Sequence, residues 1–178
     1  MPTATLTRLR ELPGDERAAT AVEFAILVTP LVFLILASLQ LSIIFFAGQC
    51  LQSTAISSAR QLMTGSAQQA GLTQAQYQKA VCANAPVLFT CGDIMVDVQS
   101  ASAYTSLSTA ALTPTYDASG KPTNSWSYSP GAAGDIVILR LMYNWPVVGG
   151  PLLPGLANQA NGDRLLVATA VFKNEPYQ

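Results

Sequence analysis

The sequence predicts an α+β fold, with one long N-terminal helix laid against a small antiparallel sheet that carries a single disulfide. Three observations predict it. Residues 24–46 are an uncharged apolar run, apolar residues then recur at helical spacing as far as Gly65, and three later segments carry strand patterning. The expected organisation is a leader over residues 1–18, the long helix over 19–65 with a membrane span at 24–46, and an α+β domain over 66–178.

Composition limits the chemistry before any motif is considered. Charged residues make up 11% of the 178-residue chain, against roughly 25% in ordinary soluble domains. The net charge of −1 and pI near 5.2 leave no basic surface to follow a phosphate backbone, so nucleic acid is not an expected partner. Histidine is absent, which removes the commonest general base and metal ligand. The expectation is a protein that is not an enzyme, with no cofactor and no metal.

The leader holds Arg8, Arg10 and Arg17 before the apolar run, and the next basic residue is Arg60. The positive-inside rule therefore places the N-terminus in the cytoplasm and the chain beyond Gln49 on the other side. The acids Glu11, Asp15, Glu16 and Glu23 count little in that rule but offset the local charge. The run itself reads FAILVTPLVFLILASLQLSIIFF, 23 residues. At 1.5 Å per residue it would extend about 34 Å, against a hydrocarbon core of roughly 30 Å. A secretory signal has a shorter apolar core and a small-residue cleavage site, where this chain has Gln49, so the run reads as an anchor. Gln49 before Cys50 also disagrees with a lipoprotein signal.

Pro30 removes a backbone donor inside the span and marks a kink or a weakened turn that Thr29 or a neighbouring helix can satisfy. Gln40 asks for a polar partner. Both residues either face other transmembrane helices or are tolerated in a lone anchor. Beyond the span, Leu51, Ala55, Ser58, Ala59, Leu62 and Met63 continue one helical stripe, and Gly65 suits the residue that ends the helix. From Ala19 to Thr64 the helix would measure on the order of 70 Å.

A second helix is expected over 73–84, where Thr73 and Gln76 make a capping-box pattern and Tyr77, Ala80 and Val81 share a face. Strands are expected at 94–98, with Ile94, Val96 and Val98 inward, at 136–145, with Val137, Leu139, Leu141, Tyr143 and Trp145 on one face, and at 165–172. The stripe beyond Cys50 is the natural cover for this sheet. Cys82 and Cys91, in an oxidising compartment, read as a disulfide tying the second helix to the first strand, the alternative being two buried thiols. Such a short loop would contribute roughly 2–3 kcal/mol. Cys50 is read as a small apolar residue at the outer membrane boundary, with intermolecular pairing as the other reading.

Gly92-Asp93, Gly134-Asp135 and Gly162-Asp163 each precede an expected strand and read as turns in which glycine takes positive φ. A calcium site is the rival reading, but antiparallel strands begin at opposite ends and would separate at least one carboxylate from the others. Asp93 and Asp97 share strand parity, and a solvated face is the plainer account of them. Residues 105–134, rich in Ser, Thr, Pro and Gly, read as a surface insertion in which Trp126 and Tyr128 either anchor a partner or fold back onto the sheet. Residues 146–162 carry Val147, Val148, Leu152, Leu153 and Leu156 among prolines and glycines, an apolar loop fit to dock on a partner or the bilayer, or to cap its own domain.

The leader followed by AATAVEFAILVTPLVFLILASLQL and CLQSTAISSARQLMTG resembles the TadE-like family, pseudopilin-type subunits of the tight-adherence (Tad) pilus apparatus. The segments VCANAPVLFTCGDIMVDV, GDIVILRLMYNWPV and GDRLLVATAVFKNEPY also resemble that family's outer domain. The AVEF entry into the apolar helix is the most specific part. The resemblance implies a pilin-like shape and a subunit of a type IVc pilus system. It also implies a prepilin peptidase cut between Ala18 and Ala19, which makes Glu23 the fifth mature residue. Ala18 stands where the family usually has glycine, and the nearest upstream glycine, Gly14, would place Glu23 ninth.

With that resemblance, Glu23 is expected to pair with the new α-amino group of a neighbouring subunit, while from the residue alone it is a glutamate at a helix N-terminus reaching the headgroups. The expected role is a single-pass minor pilin or pseudopilin-type subunit of the bacterial inner membrane, with a periplasmic domain, able to enter the pilus. Its partners would be other pilin-like subunits, the assembly machinery, the bilayer and, if the chain is processed, prepilin peptidase. The alternatives are an unprocessed inner-membrane scaffold and a membrane-anchored periplasmic ligand- or metal-binding module.

Overall fold

The computed structural model describes residues 16–108, 110, 112–117, 121–148, 155–159 and 161–177. Helix α1, Glu16–Met63, is followed by a single turn, α2, Ser66–Gln69, and by α3, Gln74–Asn84. Strands β1, Met95–Ala101, β2, Ile136–Trp145, and β3, Arg164–Lys173, form an antiparallel sheet in the order β1-β2-β3. The α+β expectation holds, and each expected strand is present with ends within three residues of those read from the pattern.

The chain divides into two compact units, one up to Leu41 and one from Ser42 to Gln178. Among the described residues the first consists of α1 as far as Leu41. Its large apolar side chains, from Val22 and Phe24 to Leu39 and Leu41, are exposed. Among the described residues, the segment Thr20–Met63 is the one helix long and apolar enough to cross a membrane, with a mean hydropathy of 2.4 in its most apolar stretch.

The second unit is built on the rest of α1. Ile44, Ala47, Leu51, Ala55, Ala59 and Leu62 form a buried stripe at helical spacing and join one core with Ile94, Val96, Val98, Val137, Leu139 and Leu141 of the sheet. Ile44 is thus a core residue although the sequence placed it in the span. The boundary between the two units falls between Leu41 and Ser42.

The helix stops where its sequence says it should. Gly65 adopts φ 74°, and its N–H donates to Leu62 O at 3.0 Å, which satisfies one of the last carbonyls. The C-terminal tail closes over this end: Glu175 N–H reaches Met63 O at 2.8 Å, and the Tyr177 ring lies on Gly65. Helix α3 has the expected capping box, with Gln76 N–H donating to Thr73 Oγ1 and Gln76 Oε1 accepting from Thr73 N–H at 2.9 Å. Its buried side is Tyr77 and Val81; Ala80 is half-buried.

Three expectations need correction. Residues 105–134 are more than a surface insertion, because Val98 N–H donates to Ser127 O at 2.8 Å and Ser129 N–H to Val98 O at 2.9 Å, so this segment covers the free edge of β1. Both faces of β2 are therefore buried: Ile138, Arg140 and Met142 lie under cover as deeply as Val137, Leu139 and Leu141. Gly92 does not take positive φ; it sits in a short 3₁₀ turn over Cys91–Asp93, while Gly134 and Gly162 do, at φ 85° and 87°. The solvated face expected for Asp97 is likewise absent, since this carboxylate is among the most buried polar groups.

Candidate functional site

The first candidate surface is the exposed helix up to Leu41. Glu23 lies on it with its side chain exposed, and Ala18 and Ala19 are already helical, inside the first turn of α1. Pro30 leaves the helix uninterrupted. It deprives Ile26 of its donor, and Thr29 Oγ1 donates one position earlier, to Ala25 O at 2.7 Å. Ser38 Oγ returns to Leu34 O in the same way. Gln40 lies next to the end of this unit. The surface offers apolar area with a carboxylate near its start, the composition of a segment that packs in lipid or against similar helices.

In the second unit the disulfide Cys82–Cys91 is formed, with Cα atoms 5.3 Å apart. It joins the last turn of α3 to the turn before β1, as expected. Cys50 is a free thiol, half-buried against the domain core.

Tyr128 folds back onto the domain: its ring centroid lies 5.6 Å from that of Tyr77, and its Oη is buried without a hydrogen-bond partner. Tyr77 Oη donates to Ser58 O at 2.9 Å, linking α3 to α1. Burial raises the Tyr77 phenol well above its usual range, with the neighbouring Tyr128 adding to the effect, and burial alone raises Tyr128. Trp126 is half-buried beside Gln78, Ile94 and Pro122, and its carbonyl accepts from Gln74 Nε2 at 3.1 Å. Leu152 and Leu153 lie outside the described residues.

The sheet's second face holds an ion pair that sequence reasoning missed. Asp97 and Arg140 are cross-strand partners in the β1–β2 register, and Asp97 Oδ2 lies 3.6 Å from Arg140 Nη1. Both side chains are about 95% buried or more, at 3% and 5% exposure. Asp97 also accepts from Ser127 N–H at 3.0 Å and Gln99 Nε2 at 3.0 Å, and Arg140 Nη2 donates to Ser108 O. The pair thus grips both ends of the segment that covers the sheet. The signal was present, because each residue is the lone charge in its strand, flanked on both sides by apolar residues, and such charges need each other once buried.

Asn174 does similar work at the other end of the sheet, donating from Nδ2 to Pro130 O at 2.9 Å and Ala132 O at 3.0 Å. Nothing in its polar surroundings marked it out in the sequence. Asp93 and Asp163 lie at one end of the sheet and Asp135 at the other, as the register of β1 and β3 against β2 requires. Asp135 Oδ2 accepts from Ala132 N–H at 2.8 Å and Asp163 Oδ2 from Asn161 at 2.7 Å, both turn roles.

The outer edge of β3 is the second candidate surface. Gln52 of α1 bonds its backbone at Thr169 in both directions, Nε2 to O at 3.0 Å and N–H to Oε1 at 3.2 Å. Beyond that clamp lies an open groove of about 630 Å³ lined by Ile56, Ser57, Arg60 and Met63 of α1 and by Val171 and Phe172 of β3. Its walls are apolar with one cation at the rim. Among the described residues no group of three or more cysteines and carboxylates is placed to hold a metal ion.

Residues 18–60 match the family model described as TadE-like protein, so the resemblance read from the sequence is borne out over the whole apolar run and most of the stripe that carries the domain. No curated protein and no solved structure matches the chain.

Proposed function

We propose that the protein is a single-pass, membrane-anchored subunit of the Tad pilus assembly apparatus, of the minor pilin or pseudopilin type. The observation that carries this reading is that the TadE-like match falls on one continuous helix, apolar and uncovered up to Leu41 and the spine of a folded domain from Ile44 onward. The arginines before the span, through the positive-inside rule, and the disulfide of the domain support a cytoplasmic N-terminus and a periplasmic domain.

The role is mechanical, not catalytic. The exposed helix joins the helices of related subunits, and the domain presents a surface to the next one. Cleavage between Ala18 and Ala19 would free an α-amino group four residues from Glu23, and pairing of that amine with a neighbour's Glu23 would set the axial register between subunits. The scissile bond sits in the first helical turn, where helix ends fray most easily.

The test is the N-terminal residue of the mature protein, by intact mass from cells carrying the whole pilus apparatus. A chain beginning at Ala19 is expected. A chain retaining residues 1–18 would overturn the pairing role and leave a permanent inner-membrane scaffold, the reading that Ala18 in place of glycine favours.

A further inference from the structure

We infer that the open stretch of the outer edge of β3, at Val171 and Lys173, is a docking slot for a partner protein. With the groove beside it, this edge takes a short extended segment, apolar with one carboxylate, as a further strand. The inference names a surface for the subunit reading above and rests on that reading. The backbone phase of β3 fixes where the slot lies. Thr169 gives both its N–H and its C=O to the Gln52 side chain, so its polar groups point away from β2. Backbone groups in an antiparallel strand alternate between the two sides, so Leu165, Val167, Val171 and Lys173 point outward as well. Asn174 is in the opposite phase: its N–H donates to Asp135 O and its carbonyl accepts from Gly134 N–H, on the β2 side.

Side chains already stand in for a partner strand along this edge. Leu165 N–H donates to Asn158 Oδ1 at 2.7 Å and its carbonyl accepts from Asn158 Nδ2 at 3.4 Å, as Thr169 does with Gln52. Each carboxamide offers the donor and acceptor that a neighbouring backbone would. Glu175 N–H, outward in the same phase, is taken by Met63 O. Between Thr169 and Glu175 the backbone groups of Val171 and Lys173 have no partner among the described residues. That stretch is about 20 Å of extended chain, room for roughly six residues. It opens onto the groove of about 630 Å³ whose α1 wall carries Ile56, Arg60 and Met63. Ile56 and Val171 are exposed, at 60% and 49%. An added strand bonds Val171 while its alternate side chains enter the groove.

Charge identifies the occupant. Arg60 lines the groove, and the charges of β3 are Arg164 and Lys173, with no acid. Arg60 and Lys173 are exposed, and among the described residues neither has a carboxylate within ion-pair distance, that of Glu175 included. A segment with a carboxylate complements Arg60, and a basic one is repelled. Two β3 edges placed together would gather Arg60 and Lys173 from both copies with no acid in either strand. Charges of that kind, lysine above all, are how edge strands discourage pairing with themselves. A second copy of the chain is thus the poorer occupant, and a partner with an acidic, apolar strand the fitting one.

The test uses the full chain in nanodiscs of phosphatidylcholine, with empty nanodiscs as the control. The probes are fluorescent hexapeptides of alternating valine and threonine in which one residue, at each position in turn, is glutamate or lysine. Binding is read by anisotropy. The best glutamate probe is expected to bind about tenfold more tightly than its lysine counterpart, and Arg60→Glu to reverse that order. Val171→Pro removes an outward N–H that the domain itself does not use, and N-methylation of the probe backbone leaves the protein untouched. Each should lower affinity at least about fivefold. Hydrogen exchange at the Val171 amide should slow when the probe is bound. Binding indifferent to probe charge and to N-methylation overturns the inference, because the groove then takes any apolar chain, an acyl tail included. No binding by any probe also overturns it, and self-association that Val171→Pro abolishes would then assign the edge to a second copy. The mature N-terminus decides the subunit reading by itself, so either can fail without the other.

Discussion

Replacing Asp97 by alanine should detach the segment that covers the sheet and cost the domain most of its margin of stability. The carboxylate accepts two hydrogen bonds, from Ser127 N–H and Gln99 Nε2, and faces Arg140 Nη1 at 3.6 Å. Nη1 has no other partner, so the charge of Arg140 would stay buried and uncompensated. Breaking a buried pair from one side costs about 3–5 kcal/mol. At about 3 °C per kcal/mol that corresponds to a fall in Tm of roughly 9–15 °C.

The assay is thermal unfolding of the full chain in detergent, followed by tryptophan fluorescence in a Trp145→Phe background. Trp126, one residue before Ser127, then reports on the covering segment. The double variant Asp97→Leu/Arg140→Met should recover much of the loss, since an apolar pair of similar volume leaves no charge behind. Additive effects of Asp97→Ala and Arg140→Met in a double-mutant cycle, or a loss under about 1 kcal/mol for Asp97→Ala, would refute the argument that the two residues act as a unit.

Gly65→Ala should destabilise the domain by about 2 kcal/mol, because φ 74° is strained for alanine and the new Cβ would clash with the Tyr177 ring; unchanged proteolysis of the C-terminal tail would contradict this. Cys82→Ser with Cys91→Ser should cost roughly 2–3 kcal/mol through the freed loop, read as a lower urea midpoint and matched by reducing the wild type. Tyr77→Phe should cost about 1 kcal/mol for the bond to Ser58 O, whereas Tyr128→Phe, which removes a buried hydroxyl without a partner, should be neutral or stabilising. Because burial holds the Tyr77 phenol above its unfolded value of about 10, its contribution is complete below that pH. It should fall by about 1.4 kcal/mol per pH unit above it, and the urea midpoint of Tyr77→Phe should lose less between pH 9 and 11 than that of wild type.

Much of the architecture was legible because it is written in local patterns. The Thr73–Gln76 box, the left-handed Gly65 and the alternation in residues 136–145 each act over four to ten residues, and each appears in the structure as read. The ion pair and the role of Asn174 were not read, because their partners lie between 30 and 44 residues away. Tyr128 stood undecided for the same reason: whether an aromatic in a long polar segment packs inward depends on what the segment lies against.

The sequence by itself determined that an uncharged helix of membrane-crossing length leads into an amphipathic one, that three strands follow, and that the match to TadE-like proteins covers residues 18–60. Periodicity, capping and hydropathy are properties of adjacent residues, so they survive without a fold. Only the tertiary structure decided that Ile44 belongs to the domain core and that Ser127 and Ser129 pair along the edge of β1 beside a buried Asp97–Arg140 pair. Burial is a relation between segments far apart in the chain, and a charge or an apolar side chain acquires its energetic meaning only when the fold sets what surrounds it.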